Sequence, residues 1–238
     1  MAFTQRGPGQ GKVQFAEINA KEGTMKLNTG ERDPGTGRAI YQQVDTIEGQ
    51  INGFQTREQP SNNPQYKDKT VGTIYFADNT AVSFSLKSGG DATYFGARLL
   101  AKLLGTDLTR PFSITPGFTK AGEKIGDKVV QSDMAWVSVK QDGEPVLPNY
   151  GSDDKDQPLT GLPEAPFFKL EGGRDSKERN YAALNEWVDG ATAYLKATCD
   201  QRREAAKKPD QHEHQGAADE DFIDPDDIAR AAHQREAA

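Results

Sequence analysis

The sequence predicts a mainly β protein with appended helices (α+β), whose strands close into a small barrel. Three observations support this class. Glycine (24) and proline (13) are plentiful, which favours turns over long helices. Short segments alternate apolar and polar residues, the period of strands that are buried on one face. Between these segments lies one stretch with helical spacing of its apolar residues.

The first predicted elements are an arm, two short strands and one long strand. Residues 1–12 are rich in glycine and predict a flexible N-terminal arm. Residues 13–27 predict two short strands around a turn at Lys21–Gly23. Residues 39–57 predict one long strand, with Phe54 on its polar face. Its internal glycines indicate a bulge or a sharp bend, as the closure of a small barrel requires.

A hairpin and a helix form the clearest part of the pattern. In "TVGTIYFADNTAVSFSLKS", Asp78-Asn79 predicts a tight turn between two alternating strands. Ile74 belongs to the predicted buried face of the hairpin, and Tyr75 lies on its outer face. A helix follows in "GGDATYFGARLLAKLLG", with Asp91 as the predicted N-cap and Gly105 at its end.

Two later strands, in "RPFSITPGF" and "MAWVSVKQDG", complete a recognisable order. Three or four strands, one helix and two strands match a five-stranded OB-like Greek-key barrel, with its helix between strands three and four. A different small barrel or a sandwich fits nearly as well. Residues 13–206 are expected to form this domain, including a long docked C-terminal helix over 175–206 with an amphipathic stripe.

The net charge of the chain is concentrated at its end. The protein carries -7 overall, with 29 Lys+Arg and 36 Asp+Glu. Residues 1–209 hold 27 of each, whereas residues 210–238 hold two bases and nine acids. Residues 207–238 therefore predict an acidic, disordered tail. A neutral body remains compatible with a nucleic-acid partner, which needs only a local basic track.

Motifs for catalysis or cofactors are weak. The segment "GPGQGKV" resembles a phosphate loop but lacks its first glycine and has Val13 after Lys12, where Ser or Thr is needed. His212 and His214 supply at most a partial metal site, since structural zinc wants four ligands. With three histidines and the single Cys199, nucleophilic triads are poorly supplied. The sequence predicts no enzyme, no metal and no cofactor.

Aromatic residues on polar strand faces are the main candidate site. An aromatic ring between small polar residues suits base stacking, and nearby bases suit contact with phosphates. The same rings could instead be covered by a helix or by another subunit. The candidate nucleic-acid-binding residues are Phe54, Arg57, Tyr66, Lys67, Lys69, Tyr75, Lys87, Arg110, Lys120, Trp136 and Lys140.

The tail contains apolar residues within its acidic run, "DEDFIDPDDI". Such a segment suits docking on a basic, apolar surface of a partner. Asp224, as a cap before Pro225, predicts a short helix over 225–236 and helix-in-groove docking. The candidate partner-binding residues are Asp219, Glu220, Asp221, Phe222, Ile223, Asp224, Asp226, Asp227 and Ile228.

The layout resembles single-stranded DNA-binding proteins of the phage-encoded replication type. They join an OB barrel to an acidic tail that bears an aromatic residue, and "DFIDPDDI" is similar to the tip of that tail. The family tip lies at the extreme C-terminus, whereas "ARAAHQREAA" follows here. The resemblance implies non-specific coating of single-stranded DNA in phage replication or recombination, with replication or recombination proteins recruited by the tail.

Two other functions stay open, a virion or assembly protein whose β domain binds other proteins, and a regulator of a host protein. The single cysteine and the absence of a signal-like start or a membrane-length apolar run predict a cytoplasmic protein without a membrane partner. In a phage setting this is the cytoplasm of the host cell. A homo-oligomer is compatible with the pattern.

Overall fold

The computed structural model describes residues 13–61, 63–151, 161–171 and 173–207. Within them the chain is mainly β with two helices, as the sequence predicts. In chain order the elements are β1 (Gln14–Asn19), β2 (Thr24–Arg32), β3 (Ala39–Val44), β4 (Ile47–Gly49), β5 (Ile51–Gln59), β6 (Lys69–Phe76), β7 (Thr80–Ser88), β8 (Asp91–Ala92), α1 (Tyr94–Leu104), β9 (Phe112–Thr119), β10 (Lys124–Ile125), β11 (Lys128–Val129), β12 (Met134–Gln141), β13 (Glu144–Pro145), β14 (Phe167–Lys169), β15 (Asp175–Arg179) and α2 (Ala182–Lys207).

Two main sheets organise these strands. The larger sheet has the order β3-β2-β1-β7-β6-β5, with β8 on β7, and only the β1–β7 pair is parallel. The smaller sheet has the order β13-β12-β9-β4 and is antiparallel. Two-stranded ribbons are formed by β10–β11 and by β14–β15. Among the described strands no sheet closes on itself, so the prediction of a five-stranded OB-like Greek-key barrel is wrong.

The predicted long strand over 39–57 is the main source of this error. It forms three strands, of which β4 joins the smaller sheet while β3 and β5 lie at opposite edges of the larger one. The chain changes sheets at Gln50, whose side-chain amide donates to Thr109 O at 2.7 Å. Gly49 permits this crossing, because a Cβ there would lie 2.8 Å from the Phe76 ring. A break that depends on such distant partners leaves little trace in the local pattern.

The hairpin and the first helix form where the sequence predicts them. β6 and β7 pair with Ile74 opposite Val82, and Asn79 takes a positive φ of 68° in the turn. The helix α1 ends at Gly105, but its N-cap is Thr93, whose hydroxyl accepts from Gly96 N at 3.1 Å. It follows β8 and precedes β9, so it does not lie between a third and a fourth strand.

A single hydrophobic cluster joins both sheets and both helices. Its fully buried large side chains include, from the larger sheet, Met25, Phe54, Ile74, Phe84 and Leu86, from the smaller sheet Phe112 and Ile114, from α1 Leu99, Leu100 and Leu103, and from α2 Leu184 and Leu195. Each sheet therefore has one face on this cluster and an opposite face, which we call its outer face.

The long C-terminal helix is present but shorter than predicted. α2 begins at Ala182, whose N–H donates to Asn180 Oδ1, and 175–179 form β15 instead of helix. The side of α2 that carries Leu184 and Leu195 is buried, and Trp187 donates to Tyr150 O at 2.7 Å. No helix among the described residues is long and apolar enough to cross a membrane.

The chain divides into two compact units, residues 1–203 and residues 204–238. Of the second unit the structure describes only 204–207, the end of α2. The predicted N-terminal arm over 1–12 and the predicted tail from residue 208 onwards lie outside the described residues.

Candidate nucleic-acid interface

An aromatic row crosses the outer face of the larger sheet and consists of Tyr41, Phe15 and Tyr75. Tyr75 on β6 pairs with Ala81 on β7, which pairs with Phe15 on β1. Tyr41 on β3 pairs with Asn28, the residue that continues the β1–β2 ladder opposite Phe15. Paired residues in neighbouring strands share a face, so all three rings lie on one side of the sheet.

Two of these rings are open to solvent, and the Tyr75 side chain is half-buried. Tyr41 is 56% exposed and Phe15 46%. The Phe15 and Tyr75 rings meet edge to face, with centroids 6.4 Å apart and an interplanar angle of 83°. The Tyr75 hydroxyl donates to Gln55 Oε1 over a long 3.4 Å. Their arrangement leaves ring surface available for stacking.

The floor beside the rings is made of small side chains. Gly53 and Ala81 flank Tyr75 in register on its two neighbouring strands. In the next row Thr73 and Ser83 are buried and share a hydrogen bond of 3.0 Å. These small side chains are themselves buried, so Tyr41 and Phe15 offer the more accessible ring surface of the row.

Basic residues share this outer face. Arg57 pairs with Val71 and Lys69 pairs with Gln59, which places both on the same side as Tyr75 by the period of two along β5 and β6. Lys26, which the sequence analysis missed, pairs with the acid Glu17 one row from Phe15. Lys69 lies six positions from Tyr75 along β6, about 20 Å, and Arg57 lies four positions from Gly53, the partner of Tyr75, about 13 Å.

Trp136 and Lys140 lie elsewhere, on the outer face of the smaller sheet. Trp136 is 36% exposed, rests against Gly117 and donates from Nε1 to Thr119 Oγ1 at 3.1 Å. Lys140 is exposed on the same face and pairs with Ser113. The predicted aromatic set is therefore split between the outer faces of two sheets.

Phe54 does not belong to either outer face. It is 2% exposed and packs in the core, where its ring lies 6.4 Å from that of Phe84. The register between β5 and β6 shifts between Ile51 and Gly53, so that Ile51 and Phe54 both turn inward. A strict alternation from Ile51 places Phe54 outside, and the bulge reverses this. The prediction that Phe54 lies on an outward strand face is therefore wrong.

Two of the predicted basic residues are held by carboxylates. Lys87 Nζ lies 2.6 Å from a carboxylate oxygen of Asp189 on α2, and its side chain is only 17% exposed. Arg110 bridges Asp107 and Asp142 at 3.0 and 2.6 Å. Hydrogen bonds from Thr109, and then from Arg110, lower the pKa of Asp107. These bases are engaged in structural ion pairs, which leaves them less suited to phosphate.

Three predicted residues lie in loops. Tyr66 is 68% exposed in the loop before β6, next to the end of the outer face that carries Lys69. The stem of Lys67 lies over Gly89, within 2.4 Å of where a Cβ would stand. Lys120 is exposed at the base of the β10–β11 ribbon and is not on the outer face of the larger sheet.

Phe15 and Tyr41 are the main residues that sequence reasoning missed. In "VQFAEIN", Ala16 and Ile18 alternate with Phe15, which is the signal of an outward-facing ring. Tyr41 has no such signal, because all of "AIYQQ" lies in a strand that is mostly exposed. Only the pairing of β3 with β2 aligns Tyr41 with the other two rings.

The predicted partner-binding residues, 219–224 and 226–228, lie outside the described residues, as do His212 and His214. Within the described ranges no group of three or more His, Cys, Asp or Glu side chains is placed to hold a metal ion. No protein family, curated protein or solved structure matched this chain.

Proposed function

We propose that the protein binds single-stranded DNA, without sequence specificity, on the outer face of the larger sheet. The observation that carries the proposal is the aromatic row, in which Tyr41, Phe15 and Tyr75 are aligned in register across the sheet. Stacking of a base on an aromatic ring contributes about 1–3 kcal/mol and tolerates every base, since each base has a π face.

The basic residues of the same face support a strand path across the sheet. Arg57 and Lys69 are exposed and lie toward one end of β5 and β6, about 13 and about 20 Å from Tyr75 respectively. Charges in this position contact phosphates and give affinity without reading sequence. The engaged bases Lys87 and Arg110 are not needed for this path.

We further propose that the protein coats DNA in replication or recombination and that its acidic tail recruits partner proteins. This step rests on the resemblance in layout and on the concentration of charge, since residues 210–238 carry nine acids and two bases. Apolar residues inside the acidic run, Phe222 and Ile223, supply anchors for a pocket on another protein.

One observation favours the alternative of a protein-binding or assembly domain. The β14–β15 ribbon exposes Phe167, Phe168 and Leu170 at 37%, 48% and 52%. Arg179 lies 4.0 Å above the Phe167 ring, which gives the ribbon a basic as well as an apolar character. Exposed apolar groups that are close together are typical of protein–protein contacts.

Titration of a fluorescent dT oligonucleotide with the full-length protein tests the proposal. We expect binding that weakens as salt rises from about 50 to about 200 mM, because each phosphate contact releases counterions. Replacement of Arg57 by Gln should lower the slope of log K against log salt by about 0.7, the loss of one contact to a single strand. The matched control Lys196→Gln removes the same charge from an exposed position on α2.

Absence of binding in low salt would show that the protein is not a single-strand binder and would favour the assembly alternative. Binding that responds equally to Arg57→Gln and to Lys196→Gln would place the DNA off the outer face. In that case the charge effect would be general and not local.

A further inference from the structure

The edge strand β3 is unusually open. Its sequence, "AIYQQV", has no charged residue and no proline, and no described strand pairs with its second edge. The opposite edge strand, β5, is bulged and carries Arg57 and Glu58, and the edge strands of the smaller sheet are two or three residues long. Natural edge strands usually avoid further pairing by such charges, bulges or short lengths. β3 carries no charge and no proline, and the register shift in its pairing with β2, between Asn28 and Arg32, adds residues to β2 and not to β3.

The hydrogen bonds of β3 show which of its backbone groups are free to pair. Arg38 O accepts from Asp33 N at 2.8 Å, and Ile40 O accepts from the Thr29 hydroxyl at 3.1 Å, so both carbonyls point toward β2. Successive residues of a strand direct their backbone groups to alternate edges. Tyr41 and Gln43 therefore present their N–H and C=O groups to the open edge.

We propose that this edge is the interface of a homodimer, in which β3 pairs antiparallel with β3 of a second copy. A twofold axis at Tyr41 sets the two Tyr41 residues opposite each other and Ala39 opposite Gln43 of the second copy. All these groups are uncharged, so no like charges meet. The interface is isologous and closes after two copies, which is the commonest symmetry of soluble oligomers.

Charge at the strand ends selects the antiparallel direction. Arg38 precedes β3 and Asp45 follows it. An antiparallel pair centred on Tyr41 sets Arg38 of one copy opposite Val44 of the other, while Asp45 projects to the opposite face of the sheet, so like charges are kept apart at both ends. A parallel pair would instead set Arg38 beside Arg38 and Asp45 beside Asp45, and like charges in direct opposition destabilise a strand pair.

The dimer would also extend the candidate site. Tyr41 ends the aromatic row at the β3 edge, so pairing places the row of the second copy directly after it. Two outer faces would then form one continuous surface of twice the width. This consequence rests on the proposed function, whereas the dimer itself does not.

Sedimentation of the full-length protein without nucleic acid, from about 1 to about 100 µM, tests the dimer. We expect a monomer–dimer equilibrium that Gln43→Pro weakens about thirtyfold, since the substitution removes one hydrogen bond at each of two symmetric positions. Proline is tolerated where an edge N–H faces away from the sheet, so β3 should keep its pairing with β2. The matched variant Gln43→Ala retains the N–H and should dimerise like the wild type.

Cross-linking tests the same contact if Gln43→Pro fails to fold, which circular dichroism would show. Tyr41→Cys should be joined rapidly to its copy by a short bis-maleimide, because paired Cα atoms lie about 5.5 Å apart. Gln59→Cys, on the opposite edge of the sheet, is the control, and the native Cys199 is buried.

A monomer at every concentration would overturn the proposal, as would a dimer that Gln43→Pro leaves intact. Equal cross-linking of Tyr41→Cys and Gln59→Cys would also overturn it. A dimer that binds no oligonucleotide would refute the proposed function alone, since sedimentation and cross-linking are measured without DNA.

Discussion

Replacement of Phe15 by Leu separates a stacking role from a packing role on the outer face of the larger sheet. Phe15 is 46% exposed and meets Tyr75 edge to face at 6.4 Å. Leucine keeps an apolar side chain over the same floor, so the free energy of unfolding should change by less than about 1.5 kcal/mol. What the variant loses is the flat π surface on which a base can stack.

The expected loss of affinity follows from that surface. One base stacked on an aromatic ring contributes about 1–3 kcal/mol, and about half of the Phe15 side chain is accessible, so we expect about 1.5 kcal/mol, or a tenfold rise in Kd for dT oligonucleotides. Phe15 carries no charge and contacts no phosphate. The salt dependence of binding should therefore stay unchanged while affinity falls equally at every salt concentration.

Fluorescence anisotropy with the wild type, Phe15→Leu and Tyr194→Leu provides the assay. Tyr194 is 65% exposed on α2 and belongs to neither sheet, so its loss controls for the removal of an exposed ring. Equal Kd values for Phe15→Leu and the wild type would refute base stacking on this row. An equal loss in both variants would show that exposed aromatic residues act without a defined site.

Three further predictions concern other parts of the chain. Gly117→Ala should cost about 1–3 kcal/mol of stability and change the tryptophan fluorescence, because its methyl group would lie 2.0 Å from the Trp136 ring; unchanged spectra and melting would contradict this packing. Burial raises the pKa of the Cys199 thiol from 9.0 to about 11, so the thiol ionises at lower pH in the unfolded chain than in the folded one. The free energy of unfolding should therefore fall as the pH rises from 9 to 11. Denaturant titrations should show a smaller fall for Cys199→Ala. Deletion of 210–238 should tighten binding of single strands, since it removes nine acids that can compete for the basic residues; unchanged or weaker binding would exclude that competition.

Local elements were predictable because their signals are local. The β6–β7 hairpin follows from alternation around Asp78-Asn79, and the end of α1 follows from Gly105. The arrangement of strands was not predictable in the same way. The parallel contact of β1 with β7 joins Phe15 to Ala81, sixty-six positions away, and nothing in either segment specifies that partner.

The same distinction between local and long-range signals applies to the residues of the candidate site. Tyr75 was placed on the outer face because the alternation of β6 holds near it. Arg57 and Lys69 were named only as basic residues near the aromatic strands, and Lys69 begins β6 and does not end a loop. Phe54 was placed wrongly because one register shift reverses the faces of the strand. Lys87 was assigned to phosphate although Asp189, 102 residues later, binds it. Ion pairs across such separations are a property of the fold and cannot be inferred from either segment alone.

Contacts within the monomer explain the position of Trp136 better than the positions of Tyr41 and Phe15. Trp136 lies against Gly117 and donates to Thr119, so local contacts account for its position. Tyr41 has no comparable contact within the described residues, and Phe15 has the edge of Tyr75. Exposed rings add little to folding and raise the risk of association. The stability of the monomer therefore does not explain why Tyr41 and Phe15 are aligned with Tyr75 in one row across five neighbouring strands.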